Sequence, residues 1–225
     1  MNVTYIHHSG FLVETNSFYY IFDYYTGTVP ALDKSKKVIV FSSHAHADHY
    51  NPEIFSILSS MGMDFQAVLA KDISPKKYPE GVSVIKAYAN KTYEIENVKI
   101  ETLQSTDAGV AFIVYDPEGT VYHSGDLNDW AWDGEPKQYN RQMTGSYRHE
   151  INKLANKKID IAFAVLDPRQ EKNYADGMLY LLKKVNISKV YPMHYWNQPE
   201  IIKDFLLTYP QYSDIIVNTE ENKGE

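Results

Sequence analysis

Three histidines and one aspartate lie within a stretch of six residues, and this cluster constrains the chain more than any other feature. The segment runs from His44 to His49 and reads His-Ala-His-Ala-Asp-His. It follows Val38–Phe41, a short apolar run that predicts a strand covered on both faces. Only 8 histidines occur in the whole chain, so a surface loop that is rich in histidine by chance is the weaker interpretation. The cluster predicts a metal site at the end of a buried strand.

The spacing within the cluster suits two neighbouring ions. In an extended chain His44 and His46 point to the same side, so both can reach one ion. Asp48 and His49 lie on the loop that follows, where the chain can turn them toward a second ion. The sequence contains no cysteine, which leaves imidazole and carboxylate groups as ligands for zinc, manganese or iron. The absence of cysteine also excludes disulfides and a cysteine nucleophile.

The charge and the hydropathy pattern narrow the range of partners. The formal net charge is −7, whereas a protein that binds a phosphate backbone usually carries a basic face. No apolar stretch is long enough to cross a bilayer. Residues Met1–Thr15 lack the basic region and apolar run of a signal peptide. We therefore expect a small-molecule substrate, no nucleic-acid or membrane partner, and a cytoplasmic location.

Predicted strands dominate the first half of the chain, and strands and helices alternate in the second half. This order favours a single α/β domain with two packed sheets over residues 1–225. The segment 128–145 lacks a clear period and is predicted to be a long loop, followed by a helix over 147–156. The charged segment 219–225 is predicted to be a disordered tail.

The cluster His44-x-His46-x-Asp48-His49 resembles the HxHxDH signature of the metallo-β-lactamase superfamily. Further landmarks follow the family's order over residues 3–130 and 159–196, and the stretch from His8 onward resembles the branch that includes ascorbate-6-phosphate lactonase. The resemblance implies a four-layer αββα sandwich. The other landmarks are Asp23 after an early strand, Ser124-Gly125-Asp126 after a later one, and Met193-His194 near the end.

The same resemblance implies a ligand set for two divalent ions, zinc or else manganese or iron. One ion would take His44, His46 and Asp126. The other would take Asp48, His49 and His194 and share Asp126. A metal-bound hydroxide would then attack the substrate, and Asp48 would orient the reaction or accept a proton.

One expected ligand is absent. The family usually supplies a further histidine to the first ion, but Gln104–Gly109 contains none. Asp107 is a candidate oxygen ligand, and a loop aspartate that caps its own backbone is the alternative. An oxygen donor would shift the preference from zinc toward manganese or iron. His8 could face the pocket, and His123 could support a ligand or simply pack in the core.

Residues after the predicted strands could contact the substrate. Arg169 could bind a carboxylate or a phosphate, or form a salt bridge. Three tryptophans beside the expected site could form an aromatic wall or could simply pack. They are Trp130, Trp132 and Trp196.

The sequence thus predicts a metal-dependent hydrolase of a small-molecule lactone, ester, amide or phosphodiester. Two alternatives remain open. One is a nucleic-acid phosphodiesterase, against which the net charge of −7 counts. The other is a catalytically inactive metal-binding or regulatory protein of the same fold, which the missing histidine favours.

Overall fold

The first six strands pair in chain order to form one sheet. Strands β1 to β3 form an antiparallel meander, and β3 to β6 run parallel to one another. The structure is a computed structural model, and it describes residues 1–219. The strands of this sheet are β1 (Asn2–His7), β2 (Gly10–Glu14), β3 (Phe18–Phe22), β4 (Lys37–Ser42), β5 (Phe65–Ala70) and β6 (Val84–Ala87).

The last six strands form a second sheet, also in chain order. Strands β7 to β10 are antiparallel, whereas β10, β11 and β12 are parallel. The strands are β7 (Thr92–Ile95), β8 (Val98–Gln104), β9 (Val110–Asp116), β10 (Gly119–His123), β11 (Lys158–Val165) and β12 (Asn186–Met193).

The two sheets pack face to face, and helices cover their outer faces. Apolar residues of β3 divide by alternation, because successive side chains in a strand point to opposite faces. Phe18, Tyr20 and Phe22 join the core between the sheets. Tyr19 and Ile21 instead pack in the core beneath the first helix. The predicted four-layer αββα sandwich is confirmed. The helices are α1 (Glu53–Met61) on the first sheet, and α2 (Lys137–Asn152), α3 (Asp176–Lys184) and α4 (Glu200–Thr208) on the second.

The prediction of a loop over 128–145 is wrong for most of that segment. Helix α2 begins at Lys137 rather than near 147 and ends at Asn152. Only Tyr147, Glu150 and Ile151 of this helix are buried. Its first turns bury little, since Tyr139 is exposed and Met143 only half-buried, so the apolar stripe that marks this helix is narrow.

The predicted tail also begins too early. Thr219 is buried, and its hydroxyl is 2.8 Å from the Tyr195 hydroxyl. Residues 220–225, the rest of that predicted tail, lie outside the described residues. Within residues 1–219, no helix has both the length and the apolar character needed to cross a bilayer.

The fold brings the ends of many strands to one edge of the sandwich. Parallel strands place their carboxyl ends side by side, which is where open α/β sheets bind ligands. Strand β2 is antiparallel to β3, and Phe11 pairs with Phe22, so the β1–β2 turn reaches this same edge. The loops after β3, β4, β10, β11 and β12 and the β1–β2 turn therefore surround one site.

Candidate metal centre

The histidine cluster begins directly after β4, and Ser43 fixes its first residue. The Ser43 backbone N–H and hydroxyl donate to the two carboxylate oxygens of Asp23, at 2.7 and 2.6 Å. The Ser43 carbonyl accepts a hydrogen bond from the Val110 N–H at 2.9 Å. Both sheets thus hold the backbone immediately before His44.

Two glycines allow the loops of the second sheet to approach this backbone. A Cβ at Gly109 would lie 1.8 Å from the Ser43 carbonyl oxygen, and a Cβ at Gly125 would lie 2.6 Å from the Ser43 Cβ. Both glycines also have positive φ, +68° and +49°, which most other residues adopt only with strain. The close approach brings the Ser-Gly-Asp turn, and with it Asp126, against His44.

Three side chains form what we call the first donor group: His44, His46 and Asp126. His44 Nε2 lies 3.4 Å from Asp126 Oδ2. His44 Nδ1 lies 3.0 Å from the Ser43 hydroxyl, which already donates to Asp23. His44 must therefore donate through Nδ1, and this leaves the Nε2 lone pair directed toward the group.

Four side chains form the second donor group: His8, Asp48, His49 and His194. Their donor atoms all lie within 4.8 Å of one another. Two of the rings are fixed from behind by buried carboxylates. These contacts join His49 Nδ1 to Asp23 Oδ2 at 2.7 Å and His194 Nδ1 to Asp167 Oδ2 at 2.9 Å.

Asp126 connects the two groups. Its Oδ2 faces His44, and its Oδ1 lies 3.2 Å from His49 Nε2 and 3.5 Å from His194 Nε2. One carboxylate thus offers an oxygen to each donor group. This is the arrangement expected of a ligand that bridges two ions, as the resemblance implied.

The buried carboxylates are held in their ionised form. Burial alone would raise the pKa of Asp126, but His49, His194 and His44 hold it far below its ordinary value. The same balance lowers the pKa of Asp167 to about 2, because His194 and Arg169 donate hydrogen bonds to it. The site therefore presents negative charge at neutral pH, which suits cations.

Buried polar atoms without partners show where a ligand belongs. Several buried side-chain atoms within residues 1–219 have no hydrogen-bond partner, and they include His8 Nε2, His49 Nε2 and Asp126 Oδ1. Such atoms are costly to leave unpaired, and the great majority in native proteins have a partner. All three belong to the donor groups. The residues fit divalent metal ions, which would supply the partners that these atoms lack.

Asp107, the candidate replacement for the missing histidine, does not join either donor group. Its side chain is exposed, and its backbone N–H donates to the Ser105 hydroxyl at 3.2 Å. It lines a cavity of about 200 Å³ beside Asp126. The structure thus places Asp107 beside this cavity rather than among the donors.

The other walls of this cavity include several residues that the sequence singled out. Trp130 donates its indole N–H to the Asp126 carbonyl at 2.8 Å and stacks on Trp132. Arg169 forms a two-pronged ion pair with Asp167, and its guanidinium lies 4.7 Å from the ring centroid of Trp196. The salt-bridge interpretation of Arg169 therefore describes the contact in the structure, although this side chain also borders the cavity.

His123 is buried beneath the site rather than in it. Its Nε2 donates to the Ser9 carbonyl at 2.9 Å, and its Nδ1 accepts from the Gly125 N–H at 3.1 Å. Its ring also stacks on Phe22. His123 thus ties the turn that carries His8 to the turn that carries Asp126, so it combines packing with support of the donors.

Sequence reasoning missed the roles of Ser43 and Asp167. Ser43 is an ordinary small residue, and nothing in its local pattern shows its contacts. Asp167 could have been found: strands β11 and β12 are parallel, and Val165 pairs with Met193. An aspartate shortly after β11 should therefore lie beside a histidine that follows β12.

Comparisons with known proteins identify the family. Residues 2–141 match the sequence profile of the family described as "Beta-lactamase superfamily domain". The chain belongs to the metallo-β-lactamase superfamily, and it has that family's metal-binding fold. No curated protein matches the chain.

Several solved structures share the fold at low sequence identity. One is Igni18, a metallo hydrolase from the archaeon Ignicoccus hospitalis: identity is 17%, the TM-score is 0.66, and the match covers 96% of this chain and 93% of that one. Another is the metallo-β-lactamase fold protein YhfI from Bacillus subtilis, at 12% identity, a TM-score of 0.56, and 93% and 88% coverage. CmlA, a diiron β-hydroxylase from Streptomyces venezuelae, matches at 9% identity and a TM-score of 0.61, over 95% of this chain and 52% of CmlA. At these identities the likeness concerns the fold alone.

Proposed function

We propose that the protein is a metal-dependent hydrolase of a small-molecule lactone, ester, amide or phosphodiester. The proposal rests on one observation: three donors in one group and four in the other converge on neighbouring positions, with Asp126 facing both. Imidazole and carboxylate donors suit zinc, manganese or iron. When bound, such ions lower the pKa of a bound water and polarise a carbonyl or phosphoryl oxygen.

The residues of the chain would orient this chemistry. Hydrolysis breaks an acyl–O, acyl–N or P–O bond, the oxygen of water joins the acyl or phosphoryl group, and the leaving group gains a proton. Asp48 is the more accessible of the two carboxylates in the donor groups, with 26% of its side chain exposed against 6% for Asp126. We assign Asp48 the role of orienting the water and holding the proton in transit.

The cavity beside Asp126 supports a small substrate. Its volume is about 200 Å³, and aromatic rings of Trp130, Trp132 and Tyr139 form part of its wall. Such rings favour an apolar or cyclic group near the reacting bond. The net charge of −7 opposes binding of a nucleic-acid backbone.

A hydrolysis screen tests the proposal. Protein stripped of metal is reloaded separately with zinc, manganese or ferrous iron and assayed on lactones, carboxylic esters, cyclic amides and phosphodiesters. We expect activity on at least one class, dependent on metal and lost in Asp48→Asn. His149→Asn is the matched control, because 74% of the His149 side chain is exposed.

Other outcomes would favour the alternatives. A protein that retains metal but hydrolyses no substrate class would be a metal-binding or regulatory protein of this fold. Cleavage of RNA with strong salt dependence would instead indicate a nucleic-acid phosphodiesterase.

A further inference from the structure

His8 occupies an unusual position in the β1–β2 hairpin. His8 and Ser9 form the two-residue turn between strands that end at His7 and begin at Gly10. The φ of His8 is 56°, whereas Ser9 is not among the residues with positive φ. A positive φ at the first of two turn residues is a conformation in which glycine is preferred, as in type II′ hairpin turns. A histidine in such a position is strained, and residues under this kind of strain are concentrated at functional sites.

The side chain of His8 is buried among the donors rather than in the apolar core. Only 2% of His8 is exposed, and its Nε2 has no hydrogen-bond partner within residues 1–219. The ring centroid lies 4.4 Å from that of His194 and 5.6 Å from that of His49. Trp196 lies 4.6 Å away by the same measure. A packed core histidine would have both ring nitrogens satisfied, which is not the case here.

The distances around His8 match those between ligands of one ion. With ligand bonds of 2.0–2.2 Å, two ligand atoms of one ion lie between about 3 and about 4.4 Å apart. His8 Nε2 is 3.5 Å from Asp48 Oδ2, and His49 Nε2 is 3.8 Å from that same oxygen. The ligands are therefore spaced as they would be around a shared centre.

We propose that His8 is a direct ligand of the second metal position, an inference that rests on the proposed metal-dependent function. This position then has His8, Asp48, His49 and His194, with Asp126 shared, and the first has only His44, His46 and Asp126. The first position therefore gains no donor to replace the histidine missing from Gln104–Gly109. A histidine from the opposite sheet instead adds a donor to the other ion.

The two ions should consequently differ in affinity and access. The second position is closed by protein donors, as in sites that hold a metal permanently. The first has fewer protein donors, and its His46 is exposed, so it keeps open positions for water and substrate. We therefore expect the first ion to exchange readily and the second to resist removal.

The test compares His8→Asn and His8→Gly with the control His149→Asn. Asparagine tolerates positive φ, and glycine is the residue preferred in this turn, so both variants should fold. Melting of the metal-free proteins checks this. Each protein is loaded with one equivalent of cobalt(II), and X-ray absorption gives the number of imidazole ligands per ion. Competition with a chelator gives the affinity.

We expect one imidazole fewer in both His8 variants and an affinity lower by at least about 100-fold, which exceeds the usual effect of residues outside the ligand set. His149→Asn should match the wild type in both measurements. An unchanged imidazole count and affinity in both His8 variants would overturn the inference, even if the wild type hydrolyses its substrate. Wild-type protein that binds cobalt with the expected loss in the variants, but has no hydrolytic activity, would refute the proposed function and leave the role of His8 intact.

Discussion

The two donor groups share Asp126 but are built differently. In the second group the rings of His49 and His194 are fixed by Asp23 and Asp167, and three of the four donors are buried. In the first group His46 is exposed, and His44 depends on a serine hydroxyl for its orientation. Carboxylates behind ligand histidines fix the ring and increase its basicity. The difference indicates that one group retains its ion and the other gives access to substrate.

The largest expected effect comes from the residue that joins the groups. Asp126→Asn removes the shared charge with little change in shape, so we expect metal content to fall from about two ions per chain to one or none, and turnover to fall by at least about 100-fold. Elemental analysis and steady-state kinetics measure both. Asp129→Asn is the control, since Asp129 is buried nearby but donates no oxygen to either group. Two retained ions in Asp126→Asn would show that the groups are independent.

Next is a variant that acts on the backbone immediately before the first group. A Cβ at Gly109 would collide with the Ser43 carbonyl just before His44. We expect Gly109→Ala to destabilise the protein by more than about 2 kcal/mol and to release the weaker ion first. Gly81→Ala is the matched control, because Gly81 also has positive φ, +84°, but has nothing within 4 Å of its added Cβ. Equal losses of stability in denaturant unfolding of the two variants would rule out the collision as the cause.

A variant of a carboxylate that supports the second group should have a smaller effect, which is confined to the metal affinity of that group. Asp167→Asn weakens the support of His194, and we expect the tightly held ion to bind about 10–100-fold more weakly. The weaker ion should be unaffected. Titration with a chelator measures the affinities of the two ions separately. The exposed aspartate of the Lys172 ion pair supplies the control, Asp133→Asn. Equal weakening of both ions would contradict the separation of the groups.

The smallest expected effect is on the stability of the protein and comes from Glu101, which belongs to neither donor group. Lys157, Lys99 and Tyr115 surround Glu101; burial alone would raise its pKa, but these partners lower it from 4.5 to about 2. Because the folded-state pKa is the lower one, the unfolded chain binds more protons between these values. The stabilisation is present above pH 4.5 and is lost as the pH falls toward 2.

Glu101→Gln should therefore destabilise the protein at neutral pH by up to about 1 kcal/mol, since the group is partly exposed. The difference from wild type should vanish near pH 2, and metal affinity at neutral pH should not change. Denaturant unfolding across the pH range measures the first point. A difference that persists unchanged at low pH would show that the ion pairs are not its source.

Local sequence was sufficient for the strand before the cluster and for the four candidate donors within the cluster. The apolar run before His44 and the spacing of the cluster depend on neighbouring residues only. His8 was harder, because its role depends on a hairpin that returns the chain to the carboxyl end of β3, where Phe11 pairs with Phe22. Asp107 carries a carboxylate that could bind a metal ion, but it lies outside both donor groups. Its segment approaches through Gly109, which brings backbone rather than a side chain to the first group.

The first half of α2 was also missed, because apolar periodicity is a weak signal there. Its early turns carry only two side chains with apolar bodies, the exposed Tyr139 and the half-buried Met143, and its buried residues all lie near its end. Periodicity reports burial and cannot reveal a helix that buries so little.

Metal content during stepwise removal tests the central claim most directly. Tag-free protein is loaded with manganese or zinc, dialysed against increasing chelator, and analysed by elemental mass spectrometry. The account predicts about two ions per chain, lost in two separate steps, with hydrolysis ending at the first. No bound metal after loading, or the loss of both ions in a single step, would contradict it.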